Sequence, residues 1–182
     1  MISFLVACFN EEKNIISTIK EINKTCTSLK IKNYEIIIID DCSTDNSNRV
    51  VTKFTKKYHF VKLLKNSRNL GYGGSIKRPA KFSIKKYIIW VPGDNAHKKG
   101  QLIKILKNFK NFDIVSTFYT NTQTRNKFRR IFTETYTPIL NFIFGLKLPY
   151  FNGVTVIKTT IFNNLNIYTD SHNFSVEMWV KL

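Results

Sequence analysis

Apolar and polar residues come in blocks along this chain, and the blocks read in turn as strands and helices. Ile2 to Cys8 is an apolar run that predicts a first strand. After the polar Phe9-Asn10-Glu11-Glu12, residues Ile15, Ile16, Ile19, Ile22 and Leu29 recur at helical spacing. Glu35 to Asp40 predicts a second strand, and its continuous β-branched run Ile36–Ile39 is the pattern of a strand buried on both faces of a parallel sheet. Val50, Val51 and Phe54 mark a second helix, and Val61 to Leu64 a third strand. Asn69 to Ser75 is glycine-rich and reads as a loop. A short helix follows it, in which Pro79 is tolerated only near the first turn. Tyr87 to Val91 predicts a fourth strand. Leu102, Ile103, Leu106 and Phe109 predict a third amphipathic helix, and Asp113 to Tyr119 a further strand. From Arg125 to about Gly145 the pattern is helical and aromatic-rich, Gly153 to Ile157 reads as a late strand, and Asn173 to Leu182 opens a last helix. This alternation over short connections predicts an α/β fold with a mostly parallel central sheet flanked by helices. No repeat or low-complexity linker divides the 182 residues, which suit a single domain.

The chemistry gathers where the strands end. The Ile36–Ile39 run stops at Asp40-Asp41-Cys42-Ser43-Thr44-Asp45, where Ser43 or Thr44 can cap the next helix and Asp45 suits its first turn. Carboxyl ends of parallel strands are where open α/β sheets bind ligands. A carboxylate buried there needs a partner such as a base N–H, a ribose hydroxyl or a metal; the plainer reading is one capping and one exposed Asp. Asn10-Glu11-Glu12 is accounted for as the first turn of a helix. Gly71, Gly73 and Gly74 allow close approach to a phosphate or sugar but do not spell the dinucleotide fingerprint. Pro92-Gly93-Asp94-Asn95-Ala96-His97 again follows an apolar strand. Asp94 can hold a divalent cation completed by diphosphate oxygens and water, with His97 as a further ligand or a phosphate contact. Arg125, Arg129 and Arg130 precede Phe128, Phe132, Tyr136, Leu140, Phe142, Phe144 and Leu146. That pairing suits a phosphate near a lipid surface, or a core helix whose basic start is merely solvated.

Charge sharpens the picture. Twenty-nine Lys and Arg against 12 Asp and Glu give +17, which implies an anionic partner. The lysines are scattered and the strand-end carboxylates repel a phosphate backbone, so no nucleic acid is expected. Three cysteines without Cys-x-x-Cys spacing argue against a disulfide framework or a zinc site and fit a reducing compartment. No leader and no run long enough to span a bilayer are visible. A cytoplasmic protein is expected, soluble or peripheral on the inner face of the plasma membrane.

Taken together, Phe4 to Glu12, Ile36 to Asp45, Asn69 to Ser75 and Trp90 to Asp94 resemble the family 2 inverting glycosyltransferases. The likeness covers about the first 100 residues and continues more weakly through Arg129 to Phe132 and Phe144 to Leu146 to Asn152-Gly153. It looks closest to the polyprenyl-phosphate sugar transferases, the dolichol-phosphate mannose synthase-like branch. The resemblance implies a GT-A fold, with a nucleotide-sugar-binding half over 1–97 and a short acceptor half over 98–182. By that analogy Ala7, Asn10 and Glu11 line the nucleotide pocket, and Asp40 or Asp41 reads the base. Gly71, Gly73 and Gly74 pack around the nucleoside. Asp94, with His97, holds Mg²⁺ or Mn²⁺ on the diphosphate, and Glu177 is the acid on the acceptor side.

The implied reaction passes a sugar from a UDP- or GDP-sugar to a polyprenyl phosphate or a glycan, with inversion. An alcohol acceptor needs a base, for which Glu177 stands; a phosphate acceptor needs none, and Arg125, Arg129 and Arg130 would position it. Pro92 stands where the family usually has the first Asp of Asp-x-Asp, and Tyr150-Phe151 where many relatives carry an Asp. Relatives generally continue beyond the equivalent of Leu182. A catalytically silent sugar-nucleotide-binding partner is the alternative of a different class. A nucleotidyltransferase would place its Gly-rich loop straight after the first strand, where this chain has Ala7-Cys8-Phe9-Asn10.

Overall fold

The computed structural model describes residues 1–96, 100–118 and 127–182, with side chains throughout except over 127–134. Six strands form one sheet: β1 (Ile2–Cys8), β2 (Tyr34–Asp40), β3 (Val61–Lys65), β4 (Tyr87–Pro92), β5 (Ile114–Ser116) and β6 (Thr155–Lys158). Their order is β3-β2-β1-β4-β6-β5. The first four run parallel, and β6 is antiparallel to both β4 and β5. The order turns back between β1 and β4, which opens a crevice beyond the carboxyl ends of those two strands.

The side chains explain the layering. Along β2, Ile36 and Ile38 face one apolar cluster while Ile37 faces the other, and every one is buried. On the first face lie α1 (Ile15–Ser28), α2 (Ser47–Lys57) and α4 (Gln101–Leu106), contributing Ile15, Ile19, Ile22, Val51, Leu102, Ile105 and Leu106. On the second lie α3 (Gly71–Ala80), α6 (Thr159–Asn164) and α7 (Phe174–Lys181), contributing Ile76, Ala80, Phe162, Phe174 and Met178. A strand covered on both sides cannot alternate, which is why the sequence shows an unbroken Ile run. α5 (Lys127–Phe144) follows β5. Among the described residues no helix is long and apolar enough to cross a membrane.

Several local expectations are corrected. The Gly-rich stretch is not a loop through Ser75: α3 begins at Gly71, whose φ of +74° no other residue adopts without strain. Pro79 lies in the last turn of α3, not the first. It has no N–H to give to the carbonyl four residues back, and the helix ends one residue later. α2 begins at Ser47, so neither Ser43 nor Thr44 caps it; Asp45 accepts the Ser47 N–H instead at 2.9 Å. In α4 the core face uses Ile105, while Ile103 is exposed. β5 is shorter than its apolar run, and α6 has no strong periodic signal in sequence.

At the amino edge of the sheet, Glu35 is 3% exposed and fully bonded. It accepts from Ser3 Oγ (2.6 Å), Lys62 Nζ (2.7 Å) and the Ile84 N–H (3.1 Å). Burial opposes its ionisation, but these donors outweigh it and hold its carboxyl below the usual range. A depressed carboxyl stabilises the fold above its unfolded pKa and loses that contribution as pH falls through the folded one. Glu35→Ala should therefore lower stability by about 2–4 kcal/mol at pH 7, measured by urea unfolding, because the buried Ser3 hydroxyl is left without its acceptor and Lys62 without its partner. The difference from wild type should shrink below about pH 4; a difference independent of pH would contradict this account of the charge.

Candidate functional site

The parallel register sets three strand ends side by side. Cys8 pairs with Asp40, and Ala7 with Pro92. The loops beyond them are sewn together by backbone bonds: Asp41 N–H donates to Cys8 O (2.8 Å), Gly93 N–H to Ala7 O (2.9 Å) and Asn66 N–H to Asp40 O (2.9 Å). A Cβ on Gly93 would stand 2.7 Å from the Ala7 oxygen, so this approach requires glycine. Thr18 on α1 locks it by donating to Gly93 O at 2.9 Å.

The Asn10-Glu11-Glu12 turn is fastened to the loop after β2. Asn10 Oδ1 accepts the Thr44 (2.8 Å) and Asp45 (3.3 Å) N–H groups, and its own N–H donates to Ser43 Oγ at 3.0 Å. The Glu11 N–H donates to Ser47 Oγ, and Glu12 N–H to Asp45 Oδ2. Asn10 thus shapes the rim with its side-chain oxygen. Glu11 Oε2 accepts Asn14 Nδ2 at 2.8 Å, just before α1. Beneath this rim the Cys8 thiol is pushed up to about 11, first by burial and then by the carboxylates of Asp40, Asp45 and Glu11.

The two aspartates left open by the sequence part company here. Both are buried. Asp40 spends one oxygen on the Ser43 N–H (2.9 Å) and the other on Asn48 Nδ2 (2.8 Å), which makes it the internal brace of its turn. Asp41 Oδ1 accepts Asn66 Nδ2 (2.7 Å) and the Leu70 N–H (2.8 Å), while among the described residues Oδ2 accepts nothing. Asn66 is itself buried, bonded to Ser75 Oγ at 3.3 Å and held by the Arg78 guanidinium. The sequence reading passed over Asn66 and Arg78. The signal was available for Asn66, which directly follows a parallel strand as Asp41 does.

Of the glycines, Gly71 and Gly73 accommodate protein. A Cβ on Gly71 would meet Asp170 O at 2.9 Å, and one on Gly73 would meet Ser171 O at 2.8 Å. The Gly73 N–H donates to Asp170 O at 2.7 Å. A strap over 166–171 lies across the start of α3, pinned by Lys77 to Asp170 Oδ1 (2.7 Å) and Tyr168 O (2.9 Å). Tyr72 stacks on His172 at 4.6 Å. Burial, and then the Asp94 carboxylate, push its phenol well above the usual range.

Asp94 is exposed, with Oδ1 accepting the Ala96 N–H at 3.0 Å in a tight turn. Among the described residues no cluster of three metal-ligating side chains exists. One carboxylate at the crevice fits a small hard cation that arrives with a diphosphate supplying the remaining oxygens. His97 and Arg125 lie outside the described residues. Arg129 and Arg130 lie in the first turn of α5, with side chains outside the description.

Glu177 is not disposed as a free base. Oε1 accepts the Tyr168 N–H (2.9 Å) and Lys181 Nζ (2.6 Å), and Oε2 the Thr169 N–H (2.7 Å). Burial opposes ionisation, but Lys181 and the strap's donors hold this carboxyl down to about 2. In this arrangement it clamps the strap over 166–171 to α7. Glu177→Gln should cost roughly 1–2 kcal/mol in thermal or urea unfolding at pH 7, where the charged acceptor is lost. The wild-type and variant curves should converge as pH falls from 4.5 towards 2; parallel curves would refute the clamp.

A model of the family described as Glycosyl transferase family 2 matches residues 3–166. An uncharacterized protein of Methanocaldococcus jannaschii is 26% identical over 191 residues, covering 98% of this chain and 79% of its own length. A dolichyl-phosphate beta-glucosyltransferase of Dictyostelium discoideum is 38% identical over 102 residues, covering 52% of this chain, which spans 31% of that protein. The crystal structure of glucosyl-3-phosphoglycerate synthase from Mycobacterium tuberculosis with Mn²⁺, UDP and phosphoglyceric acid superposes with a TM-score of 0.68 at 18% identity. The match covers 98% of this chain and 62% of that one, and establishes a shared GT-A fold.

Proposed function

The chain belongs to glycosyl transferase family 2, and from that premise we propose that it transfers a sugar from a nucleoside diphosphate sugar to a lipid phosphate, with inversion. Asp41 takes the base, through the Oδ2 that accepts no protein donor. Ala7 and the Asn10–Glu11 turn shape the nucleoside end, and Asp94 holds Mg²⁺ or Mn²⁺ on the diphosphate. A relative of this fold that binds both UDP and Mn²⁺ supports that assignment. Such a cation, when bound, offsets the charge that develops on the leaving diphosphate.

One observation carries the choice of acceptor. Glu177 has both oxygens occupied and is held ionised down to about 2, too weak a base to take a hydroxyl proton. The strap's own carboxylate, Asp170, is paired with Lys77. A phosphate oxygen needs no base. It attacks the anomeric carbon opposite the diphosphate, the bond from that carbon to the diphosphate oxygen breaks, and the nucleoside diphosphate leaves. The Dictyostelium relative, named for dolichyl phosphate, supports the same choice.

A lipid acceptor brings a bilayer with it. Phe142 is 90% exposed, with Ile139, Ile143 and Phe144 exposed beside it on α5. With +17 on the chain, this face suits anionic headgroups over an apolar interior. Co-sedimentation with anionic vesicles should fall severalfold for Phe142→Asp with Ile143→Asp, and equal binding to neutral and anionic vesicles would count against the contact.

The direct test uses a panel of labelled sugar nucleotides with Mn²⁺ and a short polyprenyl phosphate. Product should form on the lipid phosphate and not on a free glycan, and Asp94→Ala should reduce the rate at least a hundredfold. Transfer to a glycan hydroxyl alone would overturn the acceptor. Donor binding without transfer to any acceptor would favour a silent sugar-nucleotide-binding partner.

A further inference from the structure

The way Asp41 is held says which base it can read. Asp41 is 4% exposed and Asn66 1% exposed, so both carry polar atoms that water cannot easily serve. Asp41 Oδ1 already takes two donors, Asn66 Nδ2 at 2.7 Å and the Leu70 N–H at 2.8 Å, which fill its two lone-pair directions. Asn66 cannot turn away, since its own oxygen is held by Arg78, which also donates to Lys65 O at 2.7 Å, and its N–H is bonded to Asp40 O. Oδ2 is left as the single acceptor, buried and without a protein donor among the described residues.

From this bracket we infer that Asn66 and Arg78 are positioning residues that restrict the donor to a nucleotide with a uracil-type base. The inference rests on the nucleotide reading above and deepens it. Uracil presents one ring N–H between two carbonyls, and one carboxylate oxygen satisfies it. Guanine presents a ring N–H and an exocyclic amine side by side, and needs both oxygens of a carboxylate. Against this bracket one guanine donor is buried without an acceptor, which weakens binding roughly tenfold to a hundredfold. Cytosine has no ring N–H at that position and meets the carboxylate with a lone pair.

The same bracket makes a prediction that a purely structural role for Asp41 does not. In Asp41→Asn the side-chain oxygen stays with Asn66 and Leu70, because both are donors, and the amide NH₂ takes the place of Oδ2. A donor then stands where an acceptor stood. Uracil loses its partner and cytosine, with its ring nitrogen lone pair, gains one.

Calorimetric titration of the 182-residue chain with UDP, GDP and CDP in the presence of Mg²⁺ tests this. Wild type should bind UDP at least tenfold tighter than GDP or CDP. Asp41→Asn should weaken UDP at least tenfold and bind CDP more tightly than UDP. Asn66→Ala, which frees Oδ1, should narrow the UDP-to-GDP ratio, with circular dichroism reporting whether it is folded; if it is not, the wild-type and Asp41→Asn titrations decide. Wild type binding GDP as tightly as UDP, or Asp41→Asn keeping its order for UDP over CDP, overturns this inference while leaving a nucleotide site standing. Binding of no nucleotide overturns both this inference and the reading beneath it.

Discussion

A carboxyl group taken out of water has to be given donors, and at the carboxyl edge of this sheet two of them are buried next to one another. Meeting that demand organises everything around them. Asp40 draws in the Ser43 N–H and Asn48, which sets the turn into α2. Asp41 draws in Asn66 and the Leu70 N–H, which bends the chain from β3 into α3. Asn10 ties the loop after β1 to the same turn. Three loops from three adjacent strands are thereby fixed in relation to each other, and the crevice at the point where the strand order reverses acquires a defined floor. One oxygen remains unserved by protein among the described residues, and the proposed donor chemistry begins from it.

Charge is distributed in keeping with this. The chain carries +17, yet Glu11, Glu12, Asp40, Asp41, Asp45 and Asp94, half of its 12 acidic residues, belong to the loops at this one edge. Such a concentration attracts a divalent cation despite the basic remainder, and the basic remainder attracts an anion that carries the cation with it. The acceptor side is built differently. The 166–171 strap is held down by Lys77, Glu177 and Lys181, so its charged groups serve the fold. That is the physical ground for a nucleophile that brings its own negative charge.

Much of this was legible in the sequence. The unbroken Ile36–Ile39 run announced a doubly covered parallel strand, and the strand-end rule led straight to Asp40, Asp41 and Asp94. The sequence could not divide the roles of Asp40 and Asp41, because the division rests on Asn48 and Asn66, and which side chain reaches which carboxylate is a tertiary fact. The bonds of Glu177 were hidden for the same reason: its spacing is that of an acid on a helix, and only the returning strap shows what its oxygens accept. The glycines of α3 mark close approach to a phosphate, a sugar or protein without saying which. For Gly71 and Gly73 the approaching atoms include Asp170 O and Ser171 O. Pro79 misled because proline favours the first turn, where its missing N–H costs nothing, and α3 carries it in the last turn instead.

The central claim is that the carboxyl edge of β1, β2 and β4 is the donor site. Titrating the ¹⁵N-labelled chain with UDP and Mg²⁺ and following the backbone amides by NMR tests it most directly. The account predicts shifts in the amides of Cys42, Leu70 and the residues flanking Asp94, with those of Lys62 and Ile84 at the opposite edge unmoved. Shifts centred on the Glu35 edge, or none at saturating UDP, would contradict it.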